Sequence, residues 1–192
     1  MAVVLSKGEN VNLSRENPNL NKISIGLGWD VRVTTGDEYD LDASAFMLTA
    51  NGKVRSDSDF IFYNYKESTC ESVIHQGDNR TGEGEGDDES IKVELKKVPT
   101  VIEKIAFTVT IHDSKSRRQN FGQIQKAFIR IVNDESGAEI ARYDLSEDAS
   151  TVTAMIFGEL YRHNGDWKFK AIGQGFNQGL GPLATNYGVD VG

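Results

Sequence analysis

From residue 78 to residue 89 the chain reads Asp78-Asn79-Arg80-Thr81-Gly82-Glu83-Gly84-Glu85-Gly86-Asp87-Asp88-Glu89, placing six carboxylates and three alternating glycines in twelve positions. No other stretch limits the fold as sharply. Six like charges crowded together repel one another, so the segment belongs in a loop outside the core. A bound divalent cation would reverse that repulsion. Calcium takes six to eight oxygen ligands from carboxylates, amides and backbone carbonyls. Asp78, Asn79, Glu83, Asp87, Asp88 and Glu89 carry such side-chain oxygens. Gly82, Gly84 and Gly86 free the backbone to turn its carbonyls inward. With no Cys or His among the twelve, soft metals are disfavoured.

Known loop signatures match only in part. An EF-hand loop counted from Asp78 agrees at its first position and, through Glu89, at its twelfth. It fails at the third, fifth and sixth, which are Arg80, Gly82 and Glu83. Gly84-Glu85-Gly86-Asp87 echoes the repeat of calcium-binding β-helices once, whereas that architecture needs several copies. A phosphate cradle is disfavoured by the acidic residues between the glycines and by the lack of a following Lys. Two readings of the residues stay open, a cation-binding loop and a solvated acidic hairpin tip.

The flanks point to an all-β, antiparallel two-sheet sandwich. Ile23, Ile25 and Leu27 alternate with small residues over 22–30. Leu41, Ala43, Ala45 and Met47 alternate with Asp40, Asp42, Ser44, Phe46 and Leu48 over 39–49. Short extended segments at 72–75 and 91–95 clamp the acidic loop, and 104–112 alternates again. Asn51-Gly52, 133–137 and His163-Asn164-Gly165-Asp166 are turn signals, the last within a hairpin of 153–162 and 167–172. About nine or ten strands are expected with few helical patterns, plus a short capping helix near the C-terminus. Asp40 and Asp42 share a strand face about 6.5 to 7 Å apart. Both could lean toward a cation held by another loop, or mark a solvated strand end.

A length of 192 residues suits one domain, taken here as 1–192. The formal charge of −8 weakens attraction to nucleic acid, and none is expected as a partner. A single cysteine, Cys70, excludes an intrachain disulfide framework. Neither a secretory signal nor a membrane-spanning run is visible, which makes the cytoplasm the expected compartment. His75, His112 and His163 lie apart and match no nucleophile or zinc spacing. Nothing adjacent to Cys70 is expected to lower its pKa. Trp167-Lys168-Phe169-Lys170 reads as one apolar and one solvated strand face, not as a stacking platform for bases.

Gly28-Trp29-Asp30, Asp40-Leu41-Asp42-Ala43-Ser44-Ala45, and 77–84 with its Asp78-Asn79-Arg80-Thr81 core resemble the TerD family of tellurium-resistance and stress proteins. The likeness continues through 127–131, 140–145, 155–162 and 173–175, so it covers nearly the whole chain. It implies a β-sandwich with two neighbouring Ca2+ sites, whose ligands fall on Asp40, Asp42 and the acidic loop. It also implies no established enzymatic activity, a part in resistance to tellurite and other stresses, and membership in an assembly of Ter proteins peripheral to the inner membrane. The alternative is a binder or enzyme that detoxifies tellurite directly. A lone cysteine and a negative field disfavour that alternative. The segment Lys66-Glu67-Ser68-Thr69-Cys70 departs from the family pattern, which bears on the shape of that loop alone.

Overall fold

The computed structural model describes residues 2–31, 41–76, 87–112, 114–145 and 151–190, without the side chains of Val31, Gln123 and Gln125. In chain order the strands are β1 (Val3–Leu5), β2 (Asn10–Asn12), β3 (Lys22–Val31), β4 (Leu41–Leu48), β5 (Phe60–Ile61), β6 (Val73–His75), β7 (Glu89–Glu94), β8 (Lys104–Ile111), β9 (Ile124–Asn133), β10 (Glu139–Asp144), β11 (Ala154–His163) and β12 (Asp166–Phe176). Short helices α1 (Leu13–Glu16), α2 (Ser114–Arg117) and α3 (Leu180–Asn186), with single 3-10 turns at Asp57–Asp59, Leu95–Lys97 and Phe121–Gln123, complete the described elements.

Two six-stranded sheets face each other, one ordered β1-β10-β9-β3-β7-β6 and the other β2-β12-β11-β8-β4-β5. Among the described residues, all strand pairings are antiparallel except β1 with β10. The expected sandwich is therefore present, with twelve strands among the described residues where nine or ten were anticipated. The additional ones, β1 and β2, are three-residue edge strands, too short to show an alternation. Between the sheets, Ile23, Ile25 and Leu27 of β3 meet Leu41, Ala43, Ala45 and Met47 of β4 in one apolar cluster. The period-two pattern thus becomes the buried face of each sheet.

The opposite face of β4 departs from the simple alternation. Phe46 and Leu48 point away from the main core yet are fully buried, because α3 lays Leu183, Ala184 and Tyr187 over them. The Phe46 and Phe60 rings stack at 4.5 Å, and Tyr187 lies 4.8 Å from Phe46. A three-layer region arises where the sequence shows an apolar residue on both strand faces. At the β11–β12 turn, Asn164 and Gly165 both have positive φ and His163 pairs with Asp166. This is the primed turn that the Asn-Gly pair favours.

Candidate metal centre

The strands β6 and β7 pair antiparallel, with His75 opposite Ile91, and form the two stems of the acidic stretch. Asp78, Asn79, Gly82, Glu83, Gly84 and Asp40 lie outside the described residues. Asp42, Asp87, Asp88 and Glu89 are described, and each occupies a different environment.

Asp87 lies across the outer face of β3. Its carboxylate receives two hydrogen bonds from the Arg130 guanidinium of β9, at 2.8 and 3.0 Å. It occupies the space above Gly26, where any Cβ would overlap the carboxylate. Arg130 is directly opposite Gly26 in the β3–β9 ladder, so a residue without a side chain lets Asp87 and Arg130 meet over the sheet. The Arg130 pKa is raised, mainly by the hydrogen bond to Asp87 and against the opposing effect of burial.

Asp88 folds back on the same strand. Its N–H donates to the Leu27 carbonyl at 2.8 Å, and its Oδ2 accepts from the Trp29 N–H at 2.8 Å. Burial pushes the Asp88 carboxyl above the usual carboxylate range, the Trp29 bond opposes this, and the charges of Asp30 and Asp87 push it further up. A carboxylate disfavoured by partial desolvation and by two like charges is a strong partner for a cation.

Glu89 points between the sheets and is 3% exposed. Its Oε2 accepts from the Ala43 N–H of β4 at 2.6 Å. His75, also buried, places its Nε2 3.1 Å from the Ala43 carbonyl and 3.5 Å from Glu89 Oε2. Asp42, next to Ala43, projects to the outer side of β4, with its Oδ2 4.0 Å from Nδ1 of His112. Among the described residues, no group of three or more His, Cys, Asp or Glu side chains is gathered as a metal cage. The donor set fits a hard cation all the same. It is all oxygen and net negative, and Asp88 carries an ionisation penalty that a cation would relieve.

Sequence reasoning missed Arg130 and the pairing of His75 with Glu89. Arg130 sits in an apolar strand pattern some forty residues after Asp87, and only the pairing of β9 with β3 brings the two together. The hairpin register offered a signal for His75, because a residue opposite Ile91 is diagonal to Glu89 across the ladder. The expectation for Cys70 needs correction. Burial raises its pKa, but hydrogen bonds with the Ser68 and Ser72 hydroxyls and with backbone amides outweigh that, and the thiol is lowered overall. Trp167 and Phe169 are buried while Lys168 and Lys170 are partly exposed, which bears out the two-faced strand.

A family model described as the TerD domain matches residues 1–187. The chain is 61% identical over 190 residues to a tellurium resistance protein TerD of Serratia marcescens, covering 99% of each chain. It is 55% identical over 193 residues to general stress protein 16U of Bacillus subtilis, covering 100% of each. A crystal structure of a telluride resistance protein homologue from Streptomyces coelicolor superposes with a TM-score of 0.71 at 20% identity. That match covers 86% of this chain and 96% of the other, and bears on the fold.

Proposed function

The chain belongs to the TerD family, and on that premise we propose that it is a calcium-binding protein without enzymatic activity, contributing to tellurite resistance and stress response through cation-dependent docking to other Ter proteins. The observation that carries the reading is Asp88, half-buried, anchored on β3 and pressed by Asp30 and Asp87. Such a carboxylate is costly when ionised alone and favourable beside a divalent ion. Asp42 and Asp88 are the proposed described donors. Asp40, Asp78, Asn79, Glu83 and the carbonyls of Gly82 and Gly84 are the proposed remainder of two calcium sites. Asp87 shares its oxygens with Arg130, and each of those oxygens keeps further acceptor capacity.

Calcium would supply the positive charge that offsets the repulsion among these carboxylates. The occupied site would then complete a docking surface, in the cytoplasm or at the inner face of the membrane. No helix among the described residues is long and apolar enough to cross a membrane. Calorimetry on Asp42→Ala, Asp88→Ala and the control Glu94→Ala tests the assignment. The first two should weaken calcium binding comparably, and the third should leave it unchanged. Wild-type affinity in Asp42→Ala would remove β4 from the site.

One observation favours a second reading, direct action on tellurite, and it is the lowered pKa of Cys70. Against it stands the presence of one cysteine in the chain, where a thiolate cage would use several. Tellurite reduction by the purified protein, lost in Cys70→Ser, would favour that second reading.

A further inference from the structure

The edge of the second sheet is left short beside the candidate site. β5 pairs with β4 only at Ala45 and Phe46. Two residues earlier, Ala43 turns its N–H and C=O to the same side, because backbone groups repeat their direction every second residue. Both are engaged by the opposite sheet. Glu89, the first residue of β7, accepts the N–H at 2.6 Å, and His75, the last residue of β6, reaches the carbonyl with Nε2 at 3.1 Å. For His75 to donate there, its Nε2 must carry a proton. Glu89 and His75 are 3% and 2% exposed, so these bonds form where a missing partner would be costly.

These contacts tie three places together. Ala43 is preceded by Asp42, Glu89 is preceded by Asp88, and His75 and Glu89 are the stems of the acidic stretch. We infer that Glu89 and His75 form a positioning clasp, which grips both polar groups of the Ala43 backbone and thereby fixes β4, where Asp42 precedes the gripped residue, relative to the start of β7, where Asp88 precedes Glu89. Glu89 then serves the site as an acceptor for Ala43 and not as a donor of oxygen to the cation. This rests on the calcium reading above and assigns a different role to one carboxylate within it. Residues that orient metal ligands commonly cost about 10- to 100-fold in affinity when removed.

Glu89→Gln and Glu89→Leu separate the two roles, because Gln keeps an acceptor oxygen of the same reach and loses only the charge. Two readouts are taken, amide hydrogen exchange at Ala43 in calcium-free protein and the calcium dissociation constant by calorimetry. Glu89→Gln should keep Ala43 protected and bind calcium within about threefold of wild type, far inside the range expected for loss of an orienting residue. Glu89→Leu should expose the Ala43 amide and weaken calcium binding by about 10- to 100-fold. Equal losses of affinity in the two variants would make Glu89 a direct ligand and overturn the clasp. Full Ala43 protection in Glu89→Leu would also overturn it, and so would unchanged calcium affinity there. If Glu89→Leu fails to fold, Glu89→Gln still decides, since a direct ligand cannot lose its charge at so small a cost. If the wild-type protein binds no calcium, the calcium reading itself fails and the positioning role falls with it, while Ala43 exchange still shows whether the bond to Glu89 forms.

Discussion

Replacing Arg130 with Met removes the cation that holds Asp87 over Gly26 while keeping the length and apolar stem of the side chain. Exposed ion pairs contribute about 0.2 to 1 kcal/mol, and breaking a buried one costs about 3 to 5. This pair lies between those limits, with the Arg130 and Asp87 side chains 30% and 17% exposed. It is joined by two charge-assisted hydrogen bonds. Loss of Arg130 also leaves Asp87 beside Asp88, whose ionisation it already disfavours. Together these place the cost of Arg130→Met near 2 kcal/mol. In urea, with a slope of roughly 2 kcal/mol per M, the midpoint should fall by about 1 M with the slope unchanged. Lys126→Gln is the control, because Lys126 pairs with Asp30 at 3.5 Å from an 81% exposed position, and such a surface change should stay within about 0.5 kcal/mol. A double-mutant cycle with Asp87→Asn should return most of the effect as coupling energy. If Arg130→Met and Lys126→Gln shift the midpoint equally, the partly buried pair contributes no more than a surface one and the reasoning fails.

Gly26→Ala should displace Asp87 from Arg130, since the added methyl overlaps the carboxylate. A loss of about 1 to 3 kcal/mol is expected by urea denaturation, as for other overpacked positions. For Asp88 the folded pKa lies above its ordinary value, so the calcium-free folded state binds more protons than the unfolded chain. Stability should therefore fall as pH rises from the ordinary carboxylate range through the raised pKa. Asp88→Asn, which keeps an acceptor for the Trp29 N–H, should gain a few tenths of a kcal/mol at neutral pH, a small effect because the group is partly solvated. Thermal melts of both proteins at pH 4 and pH 7 would check this, and a widening deficit for Asp88→Asn as pH rises would contradict it. Phe46→Ala should cost about 3 to 5 kcal/mol by removing the ring between Phe60 and Tyr187, with denaturant midpoints as the measure.

Much of this architecture was legible because burial imposes a period of two on strands. The alternations at 22–30, 39–49 and 104–112 became β3, β4 and β8, and the Asn164-Gly165 turn followed from the need for positive φ at both central residues. The alternation puts Phe46 and Leu48 on the face of β4 that carries Asp42 but does not say what covers them, because only the packing of α3 decides whether an outward apolar residue meets water or another layer. At the candidate site the sequence singled out carboxylates but could not assign their partners. Asp87 finds Arg130 through strand order, Glu89 finds Ala43 through the gap left by a two-residue β5, and Cys70 finds its two hydroxyls through the local turn. Each pairing depends on the assembled sheets more than on neighbours in the chain.

Thermal unfolding of the chelator-treated protein with added calcium, and separately with magnesium, tests the calcium reading most directly. A ligand that binds only the folded state contributes about 2.7 kcal/mol per site at a hundredfold excess over its dissociation constant, or about 5 kcal/mol for two sites. For a chain of this size that corresponds to a rise in Tm of roughly 10 to 20 °C. Magnesium should give a clearly smaller rise, because it holds its water and demands a strict octahedron. An unchanged Tm in excess calcium, or equal shifts with the two ions, would contradict the assignment.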